Sequence, residues 1–245
     1  TKIIADTDNE PERESSSLAA LRARQVDGLL VASARREDEA MRELWSSGVP
    51  TVLVNRRSDD VPLPSVTGDD QRGVESALAH LRSLGHRRIA HLAGPTALST
   101  GLARLRSFRQ VVAELGCDTS EDLVEECRTF AVEAGTEAMA AVLERARPTA
   151  VLAGNDQIAV GAIEALRARG LRCPEDVSVV GFNDMPFVDK LSPPLTTVRV
   201  PHAEVGAEAA RILVRWMVHG EAASSTTTLP VELVERGSTA PARAG

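Results

Sequence analysis

Five polar residues stand directly after short apolar runs. Asn55 follows Val52–Leu53–Val54, Asn155 and Asp156 follow the run 150–154, and Asn183 and Asp184 follow the run 178–182. A fourth run, Ile89–Ala93, ends in Gly94–Pro95. An amide or carboxylate emerging from the end of a rigid strand offers donors and acceptors in fixed directions, which is how a pocket orients a small polar molecule. The same residue types also cap the helix that follows a strand. Each position alone therefore has two readings, and four equivalent endings together favour a binding site.

Reaction chemistry is harder to find. No G-x-S-x-G elbow, phosphate loop or G-x-G-x-x-G dinucleotide loop occurs. The histidines His80, His86, His91, His202 and His219 show neither H-E-x-x-H nor a cysteine at metal spacing, so no metal is expected. Cys117, Cys127 and Cys173 form no C-x-x-C pair and read as unpaired thiols in a reducing compartment. The adjacent acids Asp69 and Asp70 open a helical pattern, where negative charge complements the helix dipole. These readings point to a ligand binder that uses no cofactor, and away from an enzyme.

The elements that must position the polar endings alternate along the chain. Helical patterns are expected near 12–24, 37–47, 71–84, 102–115, 136–146, 158–169 and 203–220. Between them lie the runs Leu29–Val31, Val49–Val54, Arg88–Ala93, Leu123–Glu126, Ala150–Ala153 and Val177–Gly181. Short apolar runs flanked by helices are the mark of parallel strands buried on both faces, so the class is α/β with doubly wound sheets. Ligands of such sheets sit at the carboxyl ends of the strands. The first residues, Lys2–Thr7, read as one more strand, entered in its middle.

The 245 residues are 43% hydrophobic and 26% charged, enough to bury one large core or two small ones. Aromatics are only 2% with no tyrosine, which disfavours a stacking surface for single-stranded nucleic acid. A net charge of −7 removes any whole-chain attraction to phosphate or to anionic lipid. No apolar stretch approaches the roughly 20 residues needed to cross a bilayer, so no membrane partner is expected and the location reads as cytoplasmic.

Longer strings carry a resemblance. The runs GHRRIAHLAGP at 85–95, PEDVSVVGFND at 174–184 and SPPLTTV at 192–198 resemble the LacI/GalR family of bacterial transcription regulators. VDGLLV at 26–31, GNDQIAVGAIEAL at 154–166 and LPVELVERGST at 229–239 support it, in family order and over nearly the whole chain. The resemblance implies an effector-binding core like a type I periplasmic binding protein, with two doubly wound subdomains, three crossovers and a ligand between them. The crossovers fall near 65–69, 197–201 and 224–229. Residues 1–67 and 200–229 then form the N-terminal subdomain, and 68–199 and 230–245 the C-terminal one.

Carried over residue by residue, the resemblance implies that a small polar effector, a sugar or nucleoside, is held by Asn55, Arg106, Phe130, Asn155, Asp156, Asn183 and Asp184. Arg106 is assigned to the family arginine, with Arg104 its nearest rival, because Arg109 stands where the family has a small glycine. The partners implied are a second copy of the chain and operator DNA. Helix 158–169 and strand 177–180 would contribute to the homodimer face. The DNA would be read by a helix-turn-helix not present in this sequence, and the family's first core strand and helix are likewise not seen here. The rival function is that of a solute-binding protein serving a sugar transporter.

Overall fold

The computed structural model describes residues 3–7, 10–220 and 225–243; Lys2 and Ser224, named above, lie outside them, as do the chain ends. Its first elements are α1 (Pro11–Ala23), β1 (Leu29–Val31), α2 (Glu39–Ser47), β2 (Thr51–Val54) and β3 (Ser65–Gly68). Next come α3 (Asp70–Ser83), β4 (Ile89–Ala93), α4 (Ser99–Glu114), β5 (Val124–Glu126) and α5 (Val132–Arg145). The chain continues through β6 (Ala150–Ala153), α6 (Asp156–Ala168), β7 (Ser178–Asn183) and β8 (Thr196–Arg199). It closes with α7 (His202–His219), β9 (Thr226–Leu229) and β10 (Glu232–Val234). Two units result, one of Thr1–Gly68, Ala97–Ser99 and Pro201–Leu229, the other of the intervening segments and Pro230–Gly245.

The first unit is built on a parallel sheet ordered β1-β2-β3-β9. Leu29 and Val31 of β1 and Leu53 of β2 join Leu18, Met41 and Leu44 in one aliphatic core. Local signals start and stop its helices. The Asp38 side chain accepts the Ala40 N–H at the entry to α2, and Gly48, at φ 70°, ends it in the left-handed conformation that glycine adopts without cost. Helix α7 turns Val205, Ala209, Ile212 and Leu213 inward, at the helical spacing visible in the sequence.

Residues 3–7 are not the strand that their composition suggests. A strand forms only against a partner's backbone, and here a cavity of about 660 Å³ separates Ile3–Thr7 from Leu29–Ser33. β1 is consequently the edge of its sheet, and its Leu30 is exposed.

The second unit carries a six-stranded sheet ordered β10-β8-β7-β6-β4-β5, parallel except for β10. Every residue of β4 and β6 is buried, which a parallel sheet achieves by covering both faces with helices. Helices α5 and α6 press against each other and share a core with the strands through Met139, Val142, Ile158 and Leu166. The segment 177–180, expected at a dimer face, is instead interior. It belongs almost entirely to β7, paired on both edges with β6 and β8 and covered on both faces, so it has no free surface to offer.

Histidine His91, at the centre of β4, hydrogen-bonds through Nδ1 to the Leu152 carbonyl (2.8 Å) and stacks on Phe108 with ring centroids 4.6 Å apart. Burial pulls its pKa down to about 4, so it is a neutral part of the core. His86 is held by Thr149, Ser178 and the Ala240 carbonyl, again a structural role.

Candidate functional site

Three of the four non-glycine residues with positive φ among the described residues are polar strand-end residues singled out by sequence: Asn55 (53°), Asn183 (115°) and Asp184 (58°). Such backbone is costly for residues with a Cβ and persists where the surroundings over-determine it, commonly at binding sites. Asn183 is the last residue of β7, one position further into the sheet than its sequence setting suggests. Its Oδ1 is buried and has no hydrogen-bond partner. A buried amide oxygen without a donor costs roughly 1–3 kcal/mol, which a bound hydroxyl or N–H would recover.

Asn155 caps α6. Its Oδ1 accepts the Ile158 N–H (2.8 Å), while its Nδ2 donates to the Phe130 carbonyl (3.0 Å). One N–H and one lone pair of the amide are thus committed internally, and through them Asn155 positions Phe130. That ring lies over Gly94 at the end of β4, so closely that a Cβ on Gly94 would run into it. Only glycine permits the approach.

The two aspartates are internal ties. Asp184 accepts from Arg199 Nε and Arg236 Nη2, both at 2.7 Å, which uses both carboxylate oxygens. Asp156 is fully buried; its Oδ1 accepts from the Thr197 hydroxyl (2.6 Å) and its Oδ2 from the Met185 N–H (2.8 Å). Both carboxylates therefore tie neighbouring segments together, a structural role beside the ligand role expected from sequence. A carboxylate placed after a strand is the ready partner of whatever donors the neighbouring loops supply, and those loops are distant in sequence.

Burial pushes the Asp156 carboxyl up to about 6, although the bonds from Thr197 and Met185 oppose the shift. Its ordinary value is 3.8, so proton uptake favours the folded state. This stabilisation is complete below the ordinary value and is lost as pH rises through about 6. Thermal melts at about pH 5 and pH 8 should therefore show Asp156→Asn gaining on the wild type as pH rises, by about 1.4 kcal/mol, the part of the stabilisation still present at pH 5. An equal difference between the two proteins at both pH values would refute this assignment.

The arginine register differs from the expected one. Arg106 is exposed on α4, whereas Arg104, about 200° around the helix, lies in the buried stripe with Gly101, Leu105 and Phe108. Arg104 Nε donates to Asp70 Oδ1 (2.8 Å), Nη1 donates to the Gly154 carbonyl (2.6 Å), and the guanidinium lies 3.6 Å from the Phe182 ring centroid. The helical periodicity of that stripe was the signal that distinguishes the two. Arg109 pairs with Glu121 at 2.6 Å on the surface. Of the two acids at the start of α3, Asp69 is the cap, accepting the Arg72 N–H, and Asp70 is the partner of Arg104.

In the second unit, then, Phe130, Arg104 and Asn183 belong to the strand-end region, and Asn155 supports it. In the first unit Asn55 ends β2, with its N–H donated to the Val66 carbonyl (2.8 Å). The large cavity beside β1 runs along the edge of a sheet and not at strand ends, so it is not the polar site. Among the described residues no cluster of histidine, cysteine or acidic side chains could hold a metal ion, and no helix is long and apolar enough to cross a membrane.

The family model of the periplasmic binding protein-like domain matches residues 78–239. The HTH-type transcriptional regulator DegA of Bacillus subtilis is 36% identical over 98% of this chain and 72% of its own length. The structure of the transcriptional regulator CelR with cellobiose is 33% identical, with a TM-score of 0.86 over 93% of this chain and 70% of that one. The lac repressor dimer bound to operator and the anti-inducer ONPF is 29% identical, with a TM-score of 0.82 over 94% of this chain and 79% of that one.

Proposed function

The chain belongs to the LacI family of transcriptional regulators, and from that premise we propose that its effector is a sugar-like molecule read at the carboxyl ends of its strands. The observation that carries this reading is the buried, unpartnered Oδ1 of Asn183 on strained backbone. A sugar hydroxyl supplies the missing donor. Arg104 keeps guanidinium hydrogens beyond those given to Asp70 and Gly154 for a hydroxyl oxygen, and Phe130 offers an apolar face for the sugar ring. The cellobiose of the similar regulator CelR is a ligand of the same chemistry.

The chain is a sensor and not an enzyme, as its regulator relatives are. Ligand binding alters regulation only as far as the ligand prefers one arrangement of the protein over another. We assign the output to operator DNA, read by a helix-turn-helix outside this sequence in a homodimer, as the lac repressor dimer on its operator suggests. The slot beside β1, lined by Leu29, Leu30, Val31, Leu213 and Met217, suits the further apolar strand that the family resemblance implies. The protein's place is then the cytoplasm, where operator DNA lies.

A thermal-shift screen with cellobiose, ribose, maltose and nucleosides tests the reading, since a ligand at about 100 times its Kd stabilises by about 2.7 kcal/mol. Asn183→Gly should keep or raise the thermal midpoint of the free protein, because glycine relieves the positive φ and removes the orphaned oxygen. The same variant should lose most of the ligand-induced shift. A variant that melts much lower without ligand would make Asn183 a structural residue.

A further inference from the structure

The second unit has a hollow of about 520 Å³ away from its polar strand ends. Its walls come from the carboxyl end of α6, from residues 171–175 between α6 and β7, and from residues 192–193 before β8. β7 and β8 run parallel, so this is the amino end of the strands, opposite to the end that carries Asn183. All of these residues belong to one unit. The lining is largely apolar, with Ile163 buried and Leu171, Pro174 and Pro193 half-buried.

Two opposite charges stand on its exposed rim, Arg167 and Glu175. Arg167 Nη2 donates to the Ser192 carbonyl (3.1 Å), which fixes the guanidinium at the hollow, and among the described residues it has no carboxylate partner. Glu175 likewise has no cation partner among the described residues. The neighbouring charges are engaged, Arg172 with Asp176 at 3.2 Å and Arg169 with Glu144 at 3.0 Å. The Cys173 thiol in the lining feels both rim charges: burial pushes it up to about 12, Glu175 adds to the push and Arg167 opposes it. The two charges thus act on one part of the hollow without forming an ion pair, which leaves a gap between them for a guest.

We propose that this hollow is a site for a small apolar α-amino acid, separate from the effector site and independent of the sugar-sensing reading. A zwitterion supplies what each rim charge lacks. Its carboxylate takes parallel N–H donors from the Arg167 guanidinium, and its ammonium donates to the Glu175 carboxylate. Ile163, Leu171 and the two prolines suit an aliphatic side chain, and the volume falls within the roughly 300–1,000 Å³ of small-molecule pockets. A simple carboxylate or amine satisfies one charge and leaves the other, while a sugar would set its hydroxyls against the apolar walls.

Titrating isotope-labelled protein with leucine and following its amide resonances tests the site. Shifts are expected within 163–175 and at Ser192 and Gly237, and not at Asn155 or Asn183. Isocaproate keeps leucine's carboxylate without the amine, and isoamylamine keeps the amine without the carboxylate. Each should bind at least about tenfold more weakly than leucine, the factor that one charge-assisted bond supplies, and so should glycine, which lacks the side chain. Arg167→Gln should bring leucine to within about twofold of the amine, and Glu175→Gln to within about twofold of the acid. Leucine that shifts none of these amides, or binds no tighter than its matched compounds, overturns the proposal, and so do ratios that survive both variants. Alkylation of Cys173, half-buried where the other two thiols are buried, gives a second readout. Slower alkylation with added leucine supports the site. A rate that falls as the free protein is concentrated shows a second copy covering the hollow and overturns it. The wild-type ratios decide even if a variant does not fold.

Discussion

Replacing Gly161 with alanine is expected to destabilise the second unit by about 3 kcal/mol, at the upper end of what overpacking costs. Gly161 lies on α6 where it crosses α5, and a Cβ there would collide with the Val132 carbonyl oxygen and sit 2.6 Å from the Thr136 nitrogen. On the facing helix, a Cβ on Gly135 would collide with the Ile158 carbonyl oxygen and come within 2.7 Å of its Cα. The obstacles are backbone on both sides, so no side chain can swing away to make room. The helices must separate, and Met139, Val142, Ile158 and Ala162 lose their packing together. Gly206→Ala supplies the contrast. It lies inside α7 with open space around a new Cβ, and there alanine should stabilise by roughly 0.5–1 kcal/mol through helix propensity alone. Urea unfolding followed by circular dichroism measures both, and a Gly161→Ala protein as stable as the wild type would refute the close crossing.

Arg104→Ala should cost about 3 kcal/mol of stability, roughly 6–12 °C in thermal midpoint, and abolish the ligand-induced shift. The arginine side chain is 3% exposed and its Asp70 partner 12%, so truncation strands a carboxylate in a poorly solvated place. It also leaves the Gly154 carbonyl without its donor and removes the cation from the Phe182 ring. Arg106→Ala, two residues away, should change stability by no more than about 0.5 kcal/mol, since that side chain is exposed. The double variant Arg104→Ala with Asp70→Asn separates the two effects. Neutralising Asp70 should recover part of the lost stability, while ligand binding should stay absent because the guanidinium itself is gone. If Arg106→Ala proves the more damaging substitution, the register assigned to α4 is wrong.

The elements themselves were legible because each obeys a local rule. The runs 29–31 and 150–153 are strands with those very bounds, and seven helices form within a few residues of their apolar periodicity. Strand ends were legible too, since a polar residue after an apolar run marks where the chain leaves the sheet. Asn55 and Asn183 were found in that way. The family strings extended the reading to the periplasmic binding protein-like fold and to a regulator's sensing role.

What each polar residue does was settled only by partners far away in sequence. The place of Asp184 after β7 does not show that Arg199 and Arg236 reach its two oxygens, nor does that of Asp156 show its bonds from Thr197 and Met185. Asn155 kept the capping role that its position also allowed, with Phe130 as an added partner. Residues 3–7 carry the composition of a strand, yet strand formation needs a neighbouring backbone, which the cavity beside β1 withholds. Arg167 and Glu175 gave no signal at all, because their unpaired charges are visible only once Asp176 and Glu144 are seen to serve Arg172 and Arg169. Periodicity and capping act over a few residues and can be read along the chain. The protonation state, availability and strain of a polar group depend on which distant groups surround it, and only the folded packing decides that.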